Sequence, residues 1–266
     1  MDYLSILFRW LHIASGVLWM GLLYWFNFVN TPFTATMDGE TRKKVVPELL
    51  PRAMYFFRWG AVWTWATGLM LLMLVFYHGQ LMFPAQNQDW SDGAWIMLVV
   101  TFMMFFPYDF LAESRLGEDM KTFGAISLVL VGIVAYAMYS FGGYGYRAYQ
   151  IHLGAMFGTI MIMNVWMRIW PAQKKIVAAI KEGTPPDPAL IIMVGQRGRH
   201  NVYLSVPLIW TMINMHTTTV GEENWWAILV VMIVAWTLIT LVYRKSAAVK
   251  GLLNSGIRRY RACSKE

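Results

Sequence analysis

The sequence predicts an all-α fold, a polytopic transmembrane helix bundle of about seven spans with its N-terminus outside and its C-terminus inside. Three observations predict it. Of the 266 residues, 58% are hydrophobic and only 14% are charged, against roughly 25% charged in an ordinary soluble domain. Apolar runs close to 20 residues long recur along the whole length, the signature of membrane-spanning helices. The basic residues collect in alternate connections between those runs, as loops held on the cytoplasmic side do.

The expected spans are residues 4–29, 53–77, 94–112, 122–141, 148–170, 201–217 and 225–243. The first is long, aromatic and without a small-residue cleavage site, so it reads as a retained helix and not a signal peptide. Pro32, Pro51, Pro171 and the "TPPDP" at 184–188 punctuate the connections. The longest connection, 171–199, is polar and basic and is read as a loop. Residues 1–243 form one membrane domain and 244–266 a basic cytoplasmic tail. The connections after spans one, three and five, with the tail, hold 19 of the 22 Lys and Arg residues. The opposite connections hold only Arg147. This split sets the orientation in a bacterial inner membrane. It also makes the net charge of +7 a topology signal, with no nucleic acid among the expected partners. The single cysteine, Cys263 in the tail, excludes an internal disulfide, a Cys-ligated iron–sulfur cluster and a CxxCH haem attachment.

On that topology His12, His78, His152 and His216 fall in the outer part of four different spans, and only His200 falls on the cytoplasmic side. Ionisable groups at membrane depth usually face the bundle interior. Imidazoles from facing helices are the usual axial ligands of a b-type haem, so the four are candidates to hold one or two non-covalent haems. His12, Gly16 and Trp19 share a helical face, where Gly16 leaves room for a flat ring. Arg9 and Arg147 lie near His12 and His152, placed to meet haem propionates. The same histidines also suit a copper or haem transport protein, or interfacial hydrogen bonding alone. The 20 Met are chiefly packing residues.

"RWLHIASGVLWMG" (9–21), "FRWGAVWTWATGLMLL" (57–72), "HLGAMFGTIMIMNVWMRIWPAQKK" (152–175) and "RHNVYLSVPLIWTMINMH" (199–216) resemble the membrane domain of the bacterial membrane-bound urate oxidase (urate hydroxylase) family. The resemblance runs in order over about residues 9–243. It implies a multi-span domain coupled to a cytochrome c domain that takes electrons from urate oxidation, with 5-hydroxyisourate as product. His12, His152, His200, Asn201 and His216 match polar positions of its motifs. This chain has no CxxCH, so the electrons are expected to leave through a separate cytochrome c or oxidase subunit on the outer face.

Two further groups could carry chemistry. Arg197, Arg199, His200 and Asn201 gather at the expected start of span six, where a helix N-terminus and two arginines attract an anion such as urate. Asp109, near the inner end of span three, is a candidate proton-transfer group or a partner for Arg58. The reading is therefore an inner-membrane haem b oxidoreductase, with Asp109, Arg199, His200 and Asn201 catalytic. The alternative is a non-catalytic relay or structural subunit of a larger respiratory complex.

Overall fold

The computed structural model describes residues 2–85, 88–214 and 224–249, and everything described is helix or short connection. The elements are α1 (Asp2–Tyr24), a π-helical turn (Trp25–Asn30), α2 (Thr31–Ala35), α3 (Gly39–Leu71), a second π turn (Leu72–Tyr77), α4 (Asp92–Met103) and α5 (Phe105–Glu113). They continue with α6 (Arg115–Glu118), α7 (Met120–Ser140), α8 (Tyr146–Met163), a third π turn (Asn164–Ile169), α9 (Trp170–Glu182), α10 (Pro188–Asn214) and α11 (Ala227–Ala248). His216 and the tail beyond Val249, Cys263 included, lie outside the described residues.

Among the described residues, five stretches are long and apolar enough to cross a membrane: Tyr3–Ala35, Gly39–Tyr77, Met120–Ser140, Tyr146–Glu182 and Ala227–Ala248. Asp92–Met103 and Phe105–Glu113, bent by 46°, make a sixth if taken as one span. Within the described residues the expected segments fall on helices, the third on two (α4 and α5) and the sixth only as far as Asn214, and α10 falls short in apolarity because Arg197, Arg199, His200 and Asn201 interrupt it.

Several expected loops are helical instead. The helix of span two begins at Gly39, and 171–199 is mostly α9 and the first half of α10. Apolarity bounds a span, but an amphipathic helix runs on past the hydrocarbon. In α9, Ala172 and Ile176 are buried while Lys174 and Lys175 are exposed. The prolines do not break these helices as expected. Pro32 and Pro171 each stand two residues past the end of a π turn. A proline ring clashes with the carbonyl four residues back, and the wider i→i+5 turn re-registers the chain at that point. The true break is at 184–187, after Gly183 closes α9 in the left-handed conformation (φ 78°).

α8 is the central helix, buried almost all round from Ala148 to Ile162. α1, α7 and α11 turn Trp10, Ile13, Val129, Ile133, Val230 and Val234 outward. Lipid tails are as apolar as leucine, so close contact and interhelical hydrogen bonds hold such a bundle, each bond worth about 0.6–2 kcal/mol. Trp65 Nε1 donates to Thr159 Oγ1 (3.0 Å) between α3 and α8, and Tyr24 meets Ser205 (2.9 Å) between α1 and α10. Glycines let the backbones approach. A Cβ at Gly60 would lie 3.4 Å from the Trp19 backbone nitrogen, and one at Gly154 would overlap the Thr211 hydroxyl and stand 2.8 Å from Met212 Cε.

Exposed carboxylates start two helices. The Thr41 backbone N–H and hydroxyl donate to Asp38 (both 2.8 Å) and hold its carboxyl below the ordinary range. Thr122 does the same for Asp119. A lowered carboxyl stabilises the fold above its unfolded value and loses that effect as pH falls through the folded one. Amide protection at Thr41 and Thr122, corrected for intrinsic rate, is therefore expected to hold at neutral pH and to fall only below the ordinary carboxylate range. Gly154→Ala, by overpacking the seam between α8 and α10, is expected to destabilise the bundle by about 1–3 kcal/mol, read as thermal unfolding in detergent.

Candidate functional site

α10 builds the site. Helical spacing places Arg197, His200 and Asn201 on one face, and all three are buried. Arg199 falls on another face and is exposed. The group lies 9–13 residues inside α10, whose first residue is Pro188. The expected helix N-terminus is therefore not there, and the backbone N–H groups at 197–201 are spent within the helix. Any anion held here is held by side chains.

Three other elements close around that face. Tyr108 and Asp109 come from α5, Asn164 opens the third π turn, and Phe123 comes from α7. The Tyr108 hydroxyl lies 2.8 Å from His200 Nδ1, and Asn164 Nδ2 donates to the same hydroxyl at 2.8 Å. The second Asn164 N–H donates to Asn201 Oδ1 (2.8 Å), and Asn201 Nδ2 donates to the Met161 carbonyl (3.0 Å). With the Tyr108 oxygen accepting from Asn164 and its own proton directed at His200 Nδ1, neutral His200 would carry its proton on Nε2. Phe123 stacks on the imidazole at 4.2 Å and 6°.

Among the described residues, four buried polar atoms in this cluster have no hydrogen-bond partner: Arg197 Nε and Nη1, His200 Nε2 and Asn164 Oδ1; the Arg197 guanidinium also lies over the Tyr108 ring, 5.3 Å from its centroid. Buried polar atoms are nearly always paired, and each exception calls for an explanation. Three are donors and one is an acceptor.

The charges form a ladder. Arg197 Nη2 meets Asp109 Oδ1 at 2.7 Å. Asp109 also takes Arg168, through Nε at 3.0 Å and through Nη2. Arg168 Nη1 then reaches Glu113 Oε1 at 2.8 Å. Side-chain exposure rises along it: 0% for Arg197, 14% for Asp109, 33% for Arg168 and 51% for Glu113. Asp109 thus pairs with Arg168 and Arg197 and not with Arg58, which instead stacks on Trp170 at 3.6 Å.

The histidines separate into distinct surroundings. His12 Nδ1 lies 2.8 Å from the Thr64 carbonyl, and a Cβ at Gly68 would stand 3.0 Å from its Cε1, so Gly68 makes the space for this ring. His152 is fully buried, with Nδ1 2.7 Å from the Ala148 carbonyl and Nε2 3.0 Å from the Tyr77 hydroxyl. His78 is exposed in the turn after the second π segment. Arg9 and Arg147 are exposed, and Gly16 packs on Thr64, 3.7 Å from where its Cβ would be. Among the described residues no three His, Cys, Asp or Glu side chains converge as a metal site. A carbonyl acceptor at Nδ1 fixes the proton there and leaves Nε2 as the basic nitrogen, the tautomer an axial haem ligand would need. His12 has that carbonyl partner, whereas at His152 the corresponding Nε2 is already taken by the Tyr77 hydroxyl in a fully buried setting, so iron could reach it only if Tyr77 moved.

Sequence reading did not single out Tyr77, Tyr108 or Asn164, and it favoured Arg199 over Arg197. Two signals were available. A polar Asn in the middle of an apolar span is itself notable, and the spacing 197, 200, 201 marks one helix face that 199 does not share.

Tyr108→Phe strips the partner from both Asn164 and His200. It is expected to destabilise the protein by about 1–3 kcal/mol in detergent unfolding; an unchanged midpoint would mean the network carries no weight. Arg197→Met leaves Asp109 with Arg168 alone and is expected to cost about 3 kcal/mol, partly recovered in the double variant with Asp109→Asn.

Residues 40–255 match the urate oxidase N-terminal family, a stretch that contains Tyr108, Asp109, Asn164, Arg197, His200 and Asn201 but not His12. No curated protein and no solved structure matches the chain. The family match covers most of the sequence, and the chain belongs to the urate oxidase N-terminal family.

Proposed function

We propose that the chain is a membrane oxidoreductase of the urate oxidase type, with the cluster around Tyr108 and His200 as its substrate site. The observation that carries this is the set of unpartnered buried atoms: three N–H-bearing nitrogens and one carbonyl oxygen. Urate suits it, being a planar anion rich in carbonyl oxygens that also carries ring N–H groups. Arg197 would grip the anionic edge, its Nη2 being already tied to Asp109. His200 would donate from Nε2 to a ring carbonyl, held in that tautomer by Tyr108, and Asn164 Oδ1 would accept a ring N–H. The reaction adds water and removes two electrons and two protons, giving 5-hydroxyisourate. The ladder from Asp109 to Glu113 offers charged groups along which protons can leave.

In this reading the protein lies in a bacterial inner membrane with its basic end in the cytoplasm, and its electrons pass to a separate cytochrome c or oxidase. Haem b on His12, and on His152 once Tyr77 is displaced from its Nε2, would supply a one-electron store on the way. His78 is less suited, being exposed.

The test uses membranes bearing the full chain, urate and ferricyanide or cytochrome c. Wild type is expected to consume urate and reduce about two equivalents of acceptor per urate, and His200→Gln to lower the rate about a hundredfold. Absence of urate-dependent reduction by the wild type, with either acceptor, overturns the proposal. The haem part has its own readout. A dithionite-reduced minus oxidised spectrum is expected to show a b-type band that His12→Ala and His152→Ala each abolish; a purified protein without that band removes haem from the account.

A further inference from the structure

A cavity of about 400 Å³ opens at the basic end of the bundle, between the first π turn, α2, α3, α9 and α10. Its walls are mostly aliphatic and aromatic, with Leu50, Phe57, Ile176 and Ile180 among them. Asn27, Asn30, Thr34 and Gln173 supply the polar positions. It is separate from the Tyr108 cluster. Gly195 and Gly198 of α10 line the cavity, while Arg197, His200 and Asn201 do not.

Three features define what it would hold. First, among the described residues Arg42 is the one charged side chain lining it, with no Asp or Glu. One Arg42 N–H goes to the Thr34 carbonyl at 3.1 Å, and among the described residues no carboxylate pairs with it. Second, Gln173 Oε1 is buried there without a partner; either a ligand hydroxyl or a half-turn of the amide, which presents its N–H₂, would satisfy this position. Third, the body of the cavity can complete its contacts only with an apolar group, and the volume lies within the usual range of ligand pockets, about 300–1,000 Å³.

We propose that this cavity binds an anionic amphiphile, with the apolar chain among Leu50, Phe57, Ile176 and Ile180 and the carboxylate or phosphate on Arg42. A free fatty acid and an acidic membrane lipid share that chemistry. Gly195 gives a clean way to fill the space, because a Cβ there would meet nothing within 4 Å.

The test is a titration of the delipidated full chain in detergent with the fluorescent fatty acid cis-parinaric acid. Saturable binding near one per chain is expected. Gly195→Leu is expected to abolish it, and Arg42→Gln to weaken it about tenfold, the scale of one charge-assisted hydrogen bond. Competitors separate the sources: displacement by phosphatidylglycerol but not phosphatidylcholine identifies a lipid headgroup, and displacement by oleate alone identifies a free acid. Should Gly195→Leu fail to fold, judged by circular dichroism, the wild type still decides through oleate against its methyl ester. Equal competition by the ester, binding unchanged in Arg42→Gln, or binding unchanged in a folded Gly195→Leu overturns the proposal.

Discussion

A fully buried guanidinium inside an apolar helix bundle is the constraint around which this structure is arranged. Arg197 cannot keep its charge among apolar helices without a counter-ion, since even after relaxation an isolated buried ion costs several kcal/mol. Asp109 supplies that counter-ion at 2.7 Å, and it is in turn shared with Arg168, which reaches the exposed Glu113. The two cations and two anions cancel, so the burial is tolerable. The neutralisation is incomplete in one respect: among the described residues, Nε and Nη1 of Arg197 have no acceptor. A purely structural ion pair gains nothing from this, because apolar replacements of similar volume serve stability as well or better. A site that receives a ligand needs it.

The π turns explain how polar groups come to face one another in so apolar a bundle. Widening one turn shifts the face that a helix presents. The third π turn begins at Asn164, whose amide joins Tyr108 to Asn201. The second ends at Tyr77, which caps His152. The first contains Asn27, which accepts from Tyr243 at 3.1 Å and lines the cavity at the basic end. Each of the three turns therefore carries a side chain that links helices from different parts of the chain. Two of them end two residues before a proline, where the ordinary helical pattern is already interrupted.

Much of the fold was legible in the sequence because hydrocarbon-length apolar runs have few other uses. The helix extensions were not. Residues 39–52 and 170–198 are amphipathic or polar, and composition cannot tell an amphipathic helix beyond the membrane from a loop. The site was half legible: His200, Asn201 and Asp109 stood out as polar groups in or beside spans, and the structure joins them indirectly, His200 and Asn201 through Tyr108 and Asn164 and Asp109 through Arg197 on the same helix face. Their partners were missed because Tyr108 and Asn164 are distant in sequence and only helix packing joins them. The preference for Arg199 came from proximity along the chain, whereas the 3.6-residue period selects Arg197. The outer histidines were grouped by depth alone. Depth does not give facing direction, and the structure puts His12 against α3, His152 under Tyr77 and His78 in an exposed turn.

The central claim is that the unpartnered atoms of the Tyr108 cluster await a ligand. The most direct measurement is a cryo-electron microscopy map of the full chain in lipid nanodiscs with saturating urate. The account predicts planar density within hydrogen-bonding distance of Arg197 Nη1, His200 Nε2 and Asn164 Oδ1. A map in which those atoms are paired with one another or with other protein groups, and no ligand lies between them, would contradict it.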